Sequence, residues 1–148
     1  MRLAFILVVC TAILLIGRSE VVRERTVSKA LSEVIKFINL YDTQLNYIKP
    51  DYEELCVQGK NIGFRYIVFE GNEIRLSTEL NADLRALFSE FTSRIGTTDA
   101  YGQNLLCKEY IDRFGEMLSE RKSIEKNKIK VNAAVSILGA AGVFIAFV

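Results

Sequence analysis

Residues 27–48 read VSKALSEVIKFINLYDTQLNYI. Within this stretch Val27, Leu31, Val34, Ile38, Tyr41, Leu45 and Ile48 recur at spacings of 4, 3, 4, 3, 4 and 3. A 3,4 alternation keeps one stripe of a helix apolar, so the stretch predicts a helix with a packing seam sustained over about three heptads. Pro50 stops it, and Lys49, as the residue before a proline, is pushed out of helical geometry.

A seam needs partners, and the chain offers two. Leu80, Leu84, Leu87, Phe88, Phe91 and Ile95 fall on one face of a helix over 80–95, with Gly96 at its C-terminal end. A further helix is expected to begin at Thr98 or Asp99, both good N-caps, with Cys107, Ile111, Phe114 and Leu118 as its seam. No Pro interrupts it before the C-terminal apolar run. Residues 51–58 read as a short helix opened by Asp51 and closed by Gly59. Between 62 and 77, the β formers of 64–69, a Glu70-Gly71-Asn72-Glu73 turn and the alternation of Ile74, Arg75 and Leu76 read as a small β-hairpin. A lone hairpin is marginal without packing, so an irregular element is the alternative.

Charge is distributed unevenly. Of 19 Lys and Arg only Arg2 precedes residue 18, and all 18 Asp and Glu lie between Glu20 and Glu125. Residues 131–148 carry no charge and as a helix would run about 27 Å, close to the roughly 30 Å of a bilayer core. The apolar run from Leu3 to Ile16 is shorter. It reads as an uncleaved span extended by Arg2 and Arg18; a signal-peptide core is the alternative, though no small-x-small cleavage site follows it. The expected division is therefore a transmembrane helix at 3–17, a helical domain at 18–130 and a transmembrane helix at 131–148.

Arg18, Arg23 and Arg25 follow the first apolar run, and Arg121, Lys122, Lys126, Lys128 and Lys130 precede the second. Positive charge stays on the cytoplasmic side, which places the middle domain there, and these membrane-flanking cations suit anionic lipid head groups. Residues 18–36 and 108–130 are net basic, whereas 42–99 hold ten acidic against six basic residues. The expected distal face is acidic, with Asp51, Glu53 and Glu54 as candidates to dock a basic cytoplasmic partner.

Several function classes are disfavoured. The net charge is +1, without the basic excess that phosphate recognition demands, so nucleic acid is not an expected partner. There is no His, which removes the His-based triad, the His metal site and the His switch. Cys10, Cys56 and Cys107 are too few and too widely spaced for a disulfide framework or a zinc signature, and read as small hydrophobes. No phosphate loop or nucleophile elbow is present, and Glu53 and Glu54, being adjacent, point to different helix faces. No catalytic, cofactor or metal residue is expected. The remaining readings are an interaction protein and an exported, C-terminally anchored receptor or sensor; the basic residues after 17 disfavour the second.

The most specific stretch is Phe91-Thr-Ser-Arg-Ile-Gly96-Thr-Thr-Asp99-Ala-Tyr-Gly102-Gln103. It matches a Phe-x-x-x-(Leu/Ile)-Gly-x-(Ser/Thr)-Asp-x-x-Gly-Gln pattern and is followed by a Lys-rich helix entering an apolar span with Leu138-Gly139 and Gly142. In this the chain resembles the stage III sporulation protein AB family, over almost its whole length and most strongly from Leu84 onward. It departs from the family in having Gln44 where an acidic residue is usual, and in a shorter 62–77 region without a Trp. The resemblance implies a component of the secretion-like channel complex between mother cell and forespore, anchored in the mother-cell membrane. Its soluble part would be akin to the helical domain of type II secretion and type IV pilus platform proteins. Implied partners are a cytoplasmic ATPase like stage III sporulation protein AA and other membrane components of the same complex; no catalytic residue carries over. For the block itself, Gly96 is expected to turn left-handed, Asp99 to cap, Gln103 to bond back to the turn, and Gly102 to admit another helix.

Overall fold

The computed structural model describes residues 2–47, 52–71 and 73–147; along most of 2–17 and of 136–147 it describes the backbone alone. In chain order the elements are α1 (Arg2–Tyr47), α2 (Tyr52–Ile62), β1 (Ile67–Glu70), β2 (Glu73–Leu76), α3 (Ala82–Ser93) and α4 (Ala100–Phe147). The sequence predicts an all-α, antiparallel helical bundle with a small β-hairpin or irregular element at 62–77; the protein is mostly helical with one small antiparallel sheet in that stretch. Two compact units are distinct: one formed by 29–118, the other by 1–28 with 119–148.

In the 29–118 unit, α1 buries Leu31, Val34, Phe37, Ile38, Tyr41 and Leu45. From Leu31 to Leu45 that is the expected seam with Phe37 added to it; Val27 is only half-buried, and Ile48, Lys49 and Pro50 lie outside the described residues. Helix α4 buries Gln103, Leu106, Cys107, Tyr110 and Phe114, while Ile111 and Leu118 of the expected seam are only half-buried. The two helices run in opposite directions here, since Asp42 lies beside Cys107 and Asn104 bonds Asn46. Helix α3 buries Leu84, Phe88 and Phe91 between them. Aromatic rings form the centre: Phe91 lies 6.5 Å from Tyr41, 6.5 Å from Phe88 and 5.2 Å from Tyr110.

The hairpin is real, and it is stable because it packs. Ile67 pairs with Leu76 and Phe69 with Ile74 across a two-residue connection in which Gly71 has φ 57. In β2 the burial alternates, with Ile74 and Leu76 inward. Phe37 of α1 sits 5.9 Å from Phe69 and 6.1 Å from Phe64. One Glu33 carboxylate oxygen accepts from the backbone N–H groups of Arg65 and Tyr66, at 3.0 and 2.9 Å. This anchors the chain entering β1 to α1.

Helix α2 corrects the reading of 51–58. It runs on to Ile62, and Gly63, at φ 72, ends it by donating to the Gly59 and Lys60 carbonyls. Gly59 is interior, and the Phe69 ring lies where its Cβ would stand. The glycine thus admits β1 rather than stopping a helix.

The 1–28 and 119–148 unit contains the N-terminal part of α1 and the C-terminal part of α4. Both runs expected to be membrane spans, 3–17 and 131–148, lie almost wholly within helices α1 and α4, but among the described residues no helix is long and apolar enough to cross a membrane, so those spans are not shown.

Candidate functional site

The corner between α3 and α4 is built by the residues of the 91–103 block. Helix α3 ends at Ser93, and the Arg94 and Ile95 N–H groups close back onto the Phe91 and Thr92 carbonyls. Gly96 has φ 75, a left-handed backbone that a side chain would strain, and it reverses the chain as expected. Asp99 then caps α4: its carboxylate accepts from the Gly102 N–H at 2.9 Å.

Gln103 is 2% exposed, and its amide is fully engaged. It donates to the Arg94 carbonyl at 3.1 Å and to the Thr98 hydroxyl at 2.9 Å, and it accepts from the Tyr41 hydroxyl at 3.0 Å. One buried amide thereby ties the end of α3, the start of α4 and the middle of α1 together. Burial, with Cys107 alongside, pushes the Tyr41 phenol up to about 12. Burial, with Asp42 near it, pushes the Cys107 thiol to about 12 as well. Neither group is a nucleophile at neutral pH.

Gly102 corrects an expectation. A Cβ there would stand 2.8 Å from the Thr98 hydroxyl oxygen and 3.0 Å from the Asp99 carboxylate. The glycine makes room for the cap of its own helix, not for the approach of another. With Phe91 wholly buried and Gln103 spent on internal bonds, the block is a structural corner.

What the corner leaves in solvent is the candidate contact surface. Tyr101 and Leu105, one helical turn apart on α4, are 71% and 50% exposed, and Tyr47 at the end of α1 is 83% exposed. Glu53 and Glu54 lie exposed in the first turn of α2, favourable positions for acids at a helix N-terminus. Asp51, the third acid proposed for that face, lies outside the described residues. Burial raises the Cys56 thiol, which is free and inward-facing, as is Cys107. Among the described residues no three Cys, Asp or Glu groups converge as a metal site.

In the other unit the cations expected to flank a membrane divide into two sets. Glu24 is only 4% exposed. Arg121 and Lys128 of α4 reach its two carboxylate oxygens at 3.3 and 3.1 Å, and Arg25 pairs with Glu125 at 2.8 Å. Burial would raise the Glu24 carboxyl, but the bonds from Lys128 and Arg121 outweigh it and hold the group below the usual range. Arg25 and Lys128, expected to face lipid, are thus engaged between helices. Arg18, Arg23, Lys126 and Lys130 stay exposed and are in no ion pair with another described residue. Glu24 was missed in the sequence because the seam of residues 27–48 projects backward onto Val27, which is half-buried. The buried line instead passes through Ser28, Glu24 and Val21, still at 4 and 3 spacings. An acid on that line was the available signal.

No family model, no curated protein and no solved structure matches the chain.

Proposed function

We propose that the protein is a non-enzymatic, membrane-anchored component of the secretion-like complex between mother cell and forespore. In this reading it couples a cytoplasmic ATPase of the stage III sporulation protein AA kind to the membrane assembly. The 3–17 and 131–148 runs are its membrane helices, and the antiparallel helical domain between them faces the mother-cell cytoplasm. The observation that carries the reading is the 91–103 block. Its Phe, Gly, Asp, Gly and Gln each hold a defined place in one helix corner, so the match to the family pattern is a match of parts that work together. Two further features support it. Val131, Val135 and Leu138 form an exposed apolar line at 60%, 38% and 71% just beyond the last charge of α4, as a helix entering lipid requires. The exposed Glu53 and Glu54 suit a partner presenting basic residues, and Tyr47 and Tyr101 are uncovered as well.

The test is capture of the purified ATPase by the full chain in detergent. Binding is expected, and Glu53→Lys with Glu54→Lys is expected to weaken it by about tenfold or more. Binding unchanged by the double reversal would remove the acidic face from the account. Absence of any binding would remove the adaptor role.

A further inference from the structure

Within the 1–28 and 119–148 unit, some cations pair with another described residue and others do not, and on α4 the two kinds occupy different sides. Arg121 and Lys128 point to Glu24, and Glu125 to Arg25. Lys122, Lys126 and Lys130 follow one another at four-residue intervals, which stacks them on one face. All three are exposed and in no ion pair with another described residue. Ile129 is 41% exposed and lies on this same face, between Lys126 and Lys130. Residues 122–130 rise about 12 Å along the helix, so Lys126 and Lys130 lie within about a Debye length of the apolar run that begins at Val131, and Lys122 stands one turn further out. On α1, Arg18 and Arg23 are exposed in the same way next to the first apolar run.

We propose that the Lys122, Lys126 and Lys130 stripe, with Arg18 and Arg23, binds the head groups of anionic phospholipids, and that the cations engaged by Glu24 and Glu125 take no part. The stripe suits an anionic surface rather than a single acid: the lysines are point charges on flexible stems, spaced along an axis, with an apolar side chain among them. Of the seven basic and five acidic residues of 108–130, Arg113, Arg121, Lys128, Glu109 and Glu125 are paired, and the charges beyond Glu120 that pair with no other described residue are Lys122, Lys126 and Lys130. Each is worth up to about fivefold in attraction to an anionic leaflet. The proposal rests on the membrane-anchored reading above but not on the ATPase.

The test reconstitutes the full chain in phosphatidylcholine vesicles carrying a trace of spin-labelled phosphatidylglycerol or spin-labelled phosphatidylcholine. The readout is the relative association of the two labelled lipids with the protein perimeter. Preference for phosphatidylglycerol is expected at low salt, declining toward parity near 1 M salt, where the Debye length is about 3 Å. The Lys122→Gln, Lys126→Gln, Lys130→Gln variant is expected to lose most of it. The control Lys36→Gln, Lys60→Gln, Lys108→Gln makes the same charge change at exposed lysines of the other unit and is expected to keep it. Perimeter lipid with no phosphatidylglycerol preference, or equal loss in both variants, would overturn this proposal and leave the membrane anchor intact. No perimeter lipid at all would overturn the anchor and the proposal with it.

Discussion

The same two helices are joined by different physics in the two units. In the 29–118 unit α1 buries Leu31, Val34, Phe37 and Ile38, α4 buries Tyr110 and Phe114, aromatic rings of α3 lie against both, and the buried amide of Gln103 accepts from Tyr41. In the other unit the described contacts centre on a buried acid and its cations, with Val21 the buried apolar residue beside them on α1. Apolar burial supplies energy without direction, whereas a buried carboxylate accepts only partners placed to reach it. The aromatic unit is built to persist, and the ion-paired stretch is built to fix which residues of two helices face each other.

Removing the largest apolar contribution should break the contrast most. Phe91→Ala deletes a ring in contact with Tyr41, Phe88 and Tyr110, and should cost about 3–5 kcal/mol in denaturant unfolding followed by the tyrosine near-ultraviolet signal. Gln103→Leu keeps the volume but leaves the buried Tyr41 O–H without its acceptor, for about 1–3 kcal/mol, while the Arg94 carbonyl keeps its bonds from Thr97. Loss below about 0.5 kcal/mol in that variant would mean the corner is held by apolar packing alone.

In the ion-paired stretch, Glu24→Gln should cost about 1–2 kcal/mol, less than the burial of Glu24 alone would suggest, because Arg121 and Lys128 are each about 30% exposed and water replaces part of the pairing. Amide hydrogen exchange should accelerate over 119–128 and stay unchanged over 103–114. The smallest effect is Asp99→Ala, about 1 kcal/mol from the loss of one cap bond.

The two regions should also weaken at opposite ends of the pH scale. The Glu24 carboxyl is lowered by folding, so its contribution is complete above the unfolded value of about 4.3 and is lost as pH falls below it. Tyr41 and Cys107 are both raised to about 12. Their contribution is complete below the unfolded thiol value of about 8.5 and disappears as pH rises toward 12. Hydrogen exchange at pH 3.5 should therefore loosen 119–128 first, and exchange above pH 9 should loosen 103–114 first. Parallel loosening at both extremes would erase the distinction.

These elements were not equally legible in the sequence. The α1 seam from Leu31 to Leu45, a helix within 80–95 (observed as Ala82–Ser93, with Leu87 and Ile95 only half-buried), the left-handed Gly96, the Asp99 cap and the backward bond of Gln103 all follow from local spacing and residue type. The features that escaped are long-range. Glu33 meets the backbone of Arg65 and Tyr66 across 32 residues, and Glu24 meets Lys128 across 104. Nothing near either glutamate in sequence names its partner. Gly59 and Gly102 were misjudged because a glycine's role depends on what occupies its missing Cβ position: the Phe69 ring in one case and the α4 cap in the other.

The measurement that bears most directly on the account is protease accessibility of the 18–130 domain in membrane vesicles of known orientation, with intact mass of the protected fragments. A cytoplasmic, doubly anchored adaptor predicts digestion from the cytoplasmic side alone, with residues 1–18 retained. Digestion from the outer side alone, with the N-terminal residues removed, would contradict it and favour an exported protein held by its C-terminal helix.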